Sequence, residues 1–248
     1  MIKNNIKMLM ILLIASVNMV VVGYNENDLR YLGRTGNCPG CDLSRTHLAG
    51  RNLRNADLRN ANLKGADLRG ADCENASLSR ANLDYADMRP LSLLFGLFES
   101  RTNMEKACLN KATLNDAQAQ EANFKNADLY CAQANRADFS DADLSSAHCY
   151  GFEAEDASFK GANLRNVVAR AAVFYRSVFK KADLRRANFE NAVCEQADFR
   201  GAKFEKTNFE GSNLRRALFD RLFSRLNVKF SKDTVLPDGS SWSHGFYW

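Results

Sequence analysis

The sequence predicts an all-β solenoid, and three observations predict it. Apolar residues recur at every fifth position, as in ADLRNANLKGADLRGAD (56–72), where Leu58, Leu63 and Leu68 are the centres. An alanine stands two places before each of them, at Ala56, Ala61 and Ala66. Asn, Asp, Gly and charged residues fill the places between. A helix turns through about 500° in five residues, so successive leucines would lie about 140° apart and form no stripe. A strand with an odd period would send every second leucine into water. What remains is a chain that turns by a fixed amount every five residues and stacks its coils through backbone hydrogen bonds. The centre and the small residue before it face inward, and the other three face water.

The first 23 residues stand apart from this pattern. Lys3 and Lys7 precede the apolar run MLMILLIAS (8–16) and VNMVVVG (17–23), with no acidic residue before Glu26. A charged start, a short apolar stretch and small residues up to Gly23 predict a signal peptide over 1–23, with Val21 at the −3 place. Ser16 and Asn18 break the run below the roughly 20 apolar residues a spanning helix needs, so no stable transmembrane anchor is expected after processing. The mature chain is then exported, periplasmic or secreted. Its formal charge falls from +5 to +3 with the loss of the two lysines. So mild an excess argues against nucleic acid as a partner.

Residues 24–40 read as an N-terminal cap, in which NENDLRYLGRTG (25–36) forms a short helix with Leu29 and Leu32 on the first coil. The repeat occupies 41–221. Twelve centres run from Leu43 to Phe98, including Leu93. One extra residue then enters between 99 and 103, and 24 more centres follow from Met104 to Phe219. Residues 222–248 read as a C-terminal cap. There LFDRLFSRL (218–226) places Phe219, Leu222, Phe223 and Leu226 on one helical face, LPDGS (236–240) turns the chain, and Trp242, Phe246 and Trp248 cover the last coil. An open solenoid end is also a self-association surface, which makes a homodimer through an end conceivable.

The motif A-(D/N)-L-x-x, repeated over roughly 38 to 240, resembles the signature of the pentapeptide-repeat proteins. The resemblance implies a right-handed quadrilateral β-helix with four five-residue sides per coil and short helical or loop caps. Thirty-six centres then make about nine coils, a rod on the order of 40 Å long at the inter-strand spacing. Residues 20 apart stack, so Phe139, Phe159, Phe179, Phe199 and Phe219 form one aromatic ladder.

A filled interior leaves chemistry only to the outside. His47 and His148 fall on one face five coils apart, too far to share a metal, and His244 lies in the tail. Cys73, Cys149 and Cys194 are inward centres that act as small hydrophobes, while Cys108 and Cys131 face outward. Cys38 and Cys41, in NCPGC, are a candidate disulfide in an exported protein, with Pro39 and Gly40 making the turn. Zinc would need two further ligands there, and His47 is the one nearby. CPGCDL also resembles a common opening of these repeats, which implies that it seats the first coil. Asp57, Asp67, Asp72, Asp128, Asp138, Asp183 and Asp198 all precede a centre, so the repeat itself accounts for them. No catalytic residue, metal site or cofactor is predicted.

Two surfaces remain as candidate partner contacts. Lys160, Lys180 and Arg200 stack beside the phenylalanine ladder, a basic stripe suited to an anionic envelope component. Leu94, Phe95 and Leu97, in PLSLLFGLFES (90–100), fall on places that should face water. The predicted function is a non-catalytic exported scaffold that binds a protein or envelope component through its outer faces. The family also contains DNA mimics that act on type II topoisomerases. An acidic surface and a cytoplasmic location go with that role, and this chain departs from both.

Overall fold

A computed structural model describes residues 23–90, 102–220 and 227–243. The described residues open with helix α1, Glu26–Thr35. Asn25 caps it by accepting a hydrogen bond from the Asn27 N–H, and Glu26 and Asp28 complement the first-turn dipole. Gly36, at φ 72°, ends it and donates its N–H to the Leu32 carbonyl. Leu32 is buried and Leu29 packs against the core. Asn25 and Asp28 then tie the helix to the first coil, through Asn25 N–H to the Asp42 carbonyl (3.0 Å) and Asp42 N–H to Asp28 Oδ2 (2.8 Å).

From Asp42 onward the residue before each centre pairs in parallel with the residue 20 later, as in Asp42↔Asn62 and His47↔Asp67. Each side of a coil contributes a single bridged residue followed by a two-residue turn, so almost nothing is long enough to be a strand. The exceptions among the described residues are β1, Thr207–Asn208, and β2, Val228–Lys229, which pair in parallel. The backbone groups are nonetheless used. Leu43 N–H donates to the Asn62 carbonyl (2.8 Å), Asn62 N–H to the Cys41 carbonyl (2.8 Å), and Thr46 N–H closes the corner on Leu43 (3.3 Å). Coils thus protect one another's edges. The corners need a left-handed residue two places after the centre, which explains the Asn, Asp and Gly there, such as Asn55 (φ 60°) and Gly65 (φ 66°).

Centres and the small residues before them form one continuous core, including Cys73, Cys149 and Cys194. Burial pushes the Cys73 thiol up to about 12 and raises those of Cys149 and Cys194 as well. The phenylalanine ladder is present. Successive rings from Phe139 to Phe219 stack at 5.2, 4.9, 4.8 and 5.0 Å between centroids. At two places large and small exchange roles: Phe152 fills the alanine place before Ala154, and Val167 the one before Ala169, all four buried.

The register across 91–101 differs from the sequence expectation. Ser77 bridges Asn103, Asn82 bridges Cys108 and Asp87 bridges Thr113, steps of 26 where 21 follows from a one-residue shift. Met104 therefore stacks over Leu78 and not over Leu83. The spacing treated Leu93 and Phe98 as consecutive centres, but periodicity of apolar residues cannot separate a side of the coil from an insertion of similar composition. The pairing of histidines inherits that error, since His47 belongs to the row of Asp67 and Asp87 while His148 belongs to the row of Cys108 and Asp128.

At the far end Phe230 stacks on Phe209 (6.3 Å) and Trp242 lies on Phe230 (4.9 Å). Leu236 N–H to the Ser240 carbonyl (2.8 Å) closes the turn at 236–240. The helix expected at 218–226 falls largely on 221–226, and Phe246 and Trp248 on 244–248, both outside the described residues. Among the described residues no helix is long and apolar enough to cross a membrane.

Candidate functional site

With the interior filled, sites lie on the sides of the coil. The side carrying Leu63, Leu83, Leu109, Leu129 and Cys149 has a groove of about 730 Å³ running along the axis. Lys64, Asp84, Tyr85, Asn110, Lys111, Asp128, Tyr130, His148, Tyr150 and Val168 line it. Tyr85, Tyr130 and Tyr150 are 55%, 44% and 46% exposed, unusual for rings of that size. Tyr85 and Lys111 occupy the left-handed corner place, at φ 62° and 57°. The corner aims the Lys111 ammonium at the Tyr85 ring (5.5 Å), and Lys64 lies 5.8 Å from the same ring. Tyr130 and Tyr150, one coil apart, stack nearly parallel at 5.6 Å.

Polar groups between the rings are held by the repeat. Asp84 Oδ1 accepts the Asn110 N–H (3.1 Å), and Asp128 Oδ1 accepts the Tyr130 N–H (3.2 Å). Asn110 Oδ1 is buried and has no hydrogen-bond partner among the described residues. The Cys131 thiol beside Tyr130 holds its phenol above the ordinary tyrosine value. This groove is invisible to the one-residue register, which sets Tyr85 beside Lys106. The 26-residue step brings Lys111 to it instead. Tyr130 and Tyr150, 20 apart, were the part of the signal that the sequence did carry.

The other candidates fare differently. Cys38 and Cys41 are disulfide-bonded, with Cα atoms 5.4 Å apart and Gly40 at φ 71° in the turn between them. Cys38 already occupies a centre place, buried, with its N–H on the Asp57 carbonyl (2.7 Å). In the basic stripe, Lys180 Nζ lies 3.2 Å from Asp198, and Arg200 grips the same carboxylate through Nε and Nη2 at 2.9 and 2.6 Å. Arg200 first, then Lys180, holds the Asp198 carboxyl down at about 2. Lys160 is exposed one coil earlier. Leu94, Phe95 and Leu97 lie outside the described residues.

Comparison with known proteins bears on the repeat itself. The model of the family described as pentapeptide repeats matches eight copies, over residues 41–72, 56–89, 107–146, 155–191 and 179–221. No curated protein matches the chain. Similar solved structures include HetL, a pentapeptide repeat protein involved in heterocyst differentiation regulation from the cyanobacterium Nostoc sp. strain PCC 7120. It is 23% identical, with 88% of this chain and 99% of that one covered and a TM-score of 0.46. QnrB1, a plasmid-mediated fluoroquinolone resistance protein, is 17% identical over 80% of this chain and 89% of that one, at a TM-score of 0.43. A pentapeptide repeat protein of the Arabidopsis thaliana thylakoid lumen is 21% identical over 48% and 68%, at 0.32. The family match covers more than half of the sequence and the same five-residue frame that the bridges follow, so the chain belongs to the pentapeptide-repeat family.

Proposed function

We propose that this protein is a non-catalytic, exported repeat scaffold that binds a protein or envelope component through its outer faces, with the tyrosine groove as the principal contact. The observation that carries the reading is the run of exposed Tyr85, Tyr130 and Tyr150 in one groove. Tyrosine offers large contact area at low entropic cost and is enriched where proteins meet partners. A core packed along the whole described rod supports binding over chemistry. The signal-like start through Gly23 and the Cys38–Cys41 bond support an oxidising destination.

The test is cell fractionation with intact mass measurement, with and without thiol labelling. The expected result is a form beginning near Tyr24 outside the cytoplasm, in which Cys38 and Cys41 resist labelling until reduced. A full-length cytoplasmic protein with both thiols free would overturn export.

A further inference from the structure

We infer that the tyrosine groove binds a linear glycan chain laid along the solenoid axis; the inference rests on the scaffold reading and names its envelope component. Shape is the first argument. The lining runs from Lys64 to Val168, across six successive coils, a length of about 24 Å at the inter-strand spacing. A groove this long suits a linear polymer better than a compact small molecule.

The backbone then removes one class of occupant. Along this side Tyr85 N–H is bound to the Asn110 carbonyl (3.0 Å), Lys111 N–H to that of Tyr130 (2.9 Å), and Cys131 N–H to that of Tyr150 (2.9 Å). No free edge is offered for an added β-strand, so whatever binds is read by side chains.

Side-chain chemistry narrows it further. Donors and acceptors alternate along the groove: the ammonium groups of Lys64 and Lys111, and the carboxylates of Asp84 and Asp128. A polyanion would meet both carboxylates, and an apolar helix would cover four charged groups while offering them no hydrogen bond. A sugar has what is needed. Its hydroxyls both donate and accept, matching the mixed set, and its C–H faces pack on aromatic rings such as Tyr130 and Tyr150. Asn110, half-buried in the lining, adds an amide to this mixed set of polar groups.

The mature chain would be titrated with three neutral tetrasaccharides, chitotetraose, cellotetraose and maltotetraose, followed by amide NMR shifts. At least one is expected to bind saturably, with shifts centred on Tyr130 and Tyr150. Tyr130→Ala and Tyr150→Ala should each weaken it at least tenfold, while Lys160→Ala, on another side, leaves it unchanged. No binding by any tetramer at 10 mM, or binding indifferent to both tyrosines, overturns the inference. Co-sedimentation with washed envelopes of the producing cells separates this failure from that of the scaffold reading. Tyrosine-dependent sedimentation without glycan binding leaves the scaffold and assigns the groove to a protein, and sedimentation independent of Tyr130 and Tyr150 removes the groove from both.

Discussion

From Leu43 to Met88 the described centres are leucines with one cysteine and one methionine, whereas phenylalanine dominates from Phe124 to Phe219. Both regions keep the same bridges, corners and 20-residue step. The difference teaches where the fold stores its specificity. The corner and ladder hydrogen bonds set the coil, and the centre side chain fills whatever volume the coil encloses. In the leucine region neighbours interlock through branched aliphatic contacts. In the phenylalanine region they form a column of stacked rings crossed by edge-on contacts, such as Phe174 on Phe179 at 5.2 Å and 78°. Aromatic pairs contribute about 0.5–1.5 kcal/mol beyond burial, so the later coils should tolerate truncation least.

Phe179→Ala is therefore expected to have the largest effect. Phe179 is fully buried between Phe159 and Phe199, and its loss should cost about 3–5 kcal/mol, read as a lower urea midpoint. Leu68→Ala, equally buried in the leucine region, should cost less, within the range of about 2–5 kcal/mol for that change. Equal losses would show that stacking adds nothing to volume.

The exchanged pair at Phe152 and Ala154 sharpens the same comparison. Phe152→Ala alone should cost about 3–5 kcal/mol and Ala154→Phe alone about 1–3 kcal/mol from overpacking. The double variant restores the usual large–small order and should lose less than the sum, with a coupling of about 0.5–3 kcal/mol. Additive losses would mean that the two places are not interchangeable, and that coil shape follows the side chain after all.

These variants also mark what the sequence made legible. The five-residue period, the inward alanines and the phenylalanine ladder follow from spacing, because each repeat sees the same neighbours. The register across 91–101 does not. Leu93 and Phe98 continue the five-residue period, and the period alone does not distinguish a 21-residue step from a 26-residue one. The groove was lost with that register, since Tyr85 meets Lys111 only across a 26-residue step. Cys38 and Cys41 were legible because a disulfide between residues three apart is a local event. The engagement of Lys180 and Arg200 was only half legible. Stacking placed both in one column, but their convergence on Asp198 depends on side-chain reach.

Acid should affect the two regions alike, and more weakly than truncation. Asp67, gripped first by Arg69 and also by His47, and Asp198, gripped by Arg200 and Lys180, are each held near 2 from an ordinary 3.8. A depressed folded pKa gives stability that is complete above about pH 4 and fades as pH falls toward 2. Both partners are solvent-facing, so each site contributes at most about 1 kcal/mol. The urea midpoint should drop between pH 5 and pH 2 in the wild type, and by less in Asp67→Asn or Asp198→Asn. A pH-independent midpoint would assign these pairs no role in stability.

Ala171→Gly probes the corner that both regions share, and its effect should be the smallest. Ala171 holds a corner at φ 55°, where an L-residue is strained by about 1–2 kcal/mol and glycine is not. Glycine also enlarges the freedom of the unfolded chain, which takes back about 0.4–1 kcal/mol. The corner bond, Ala171 N–H to the Glu190 carbonyl at 2.9 Å, is a backbone bond and survives the change. The net expectation is a gain of a few tenths to about 1 kcal/mol, within reach of careful denaturant titration, and a loss would mean that corner strain is relaxed by the coils above and below. Either sign applies to leucine and phenylalanine coils equally, because the corner, unlike the centre, is the same in both.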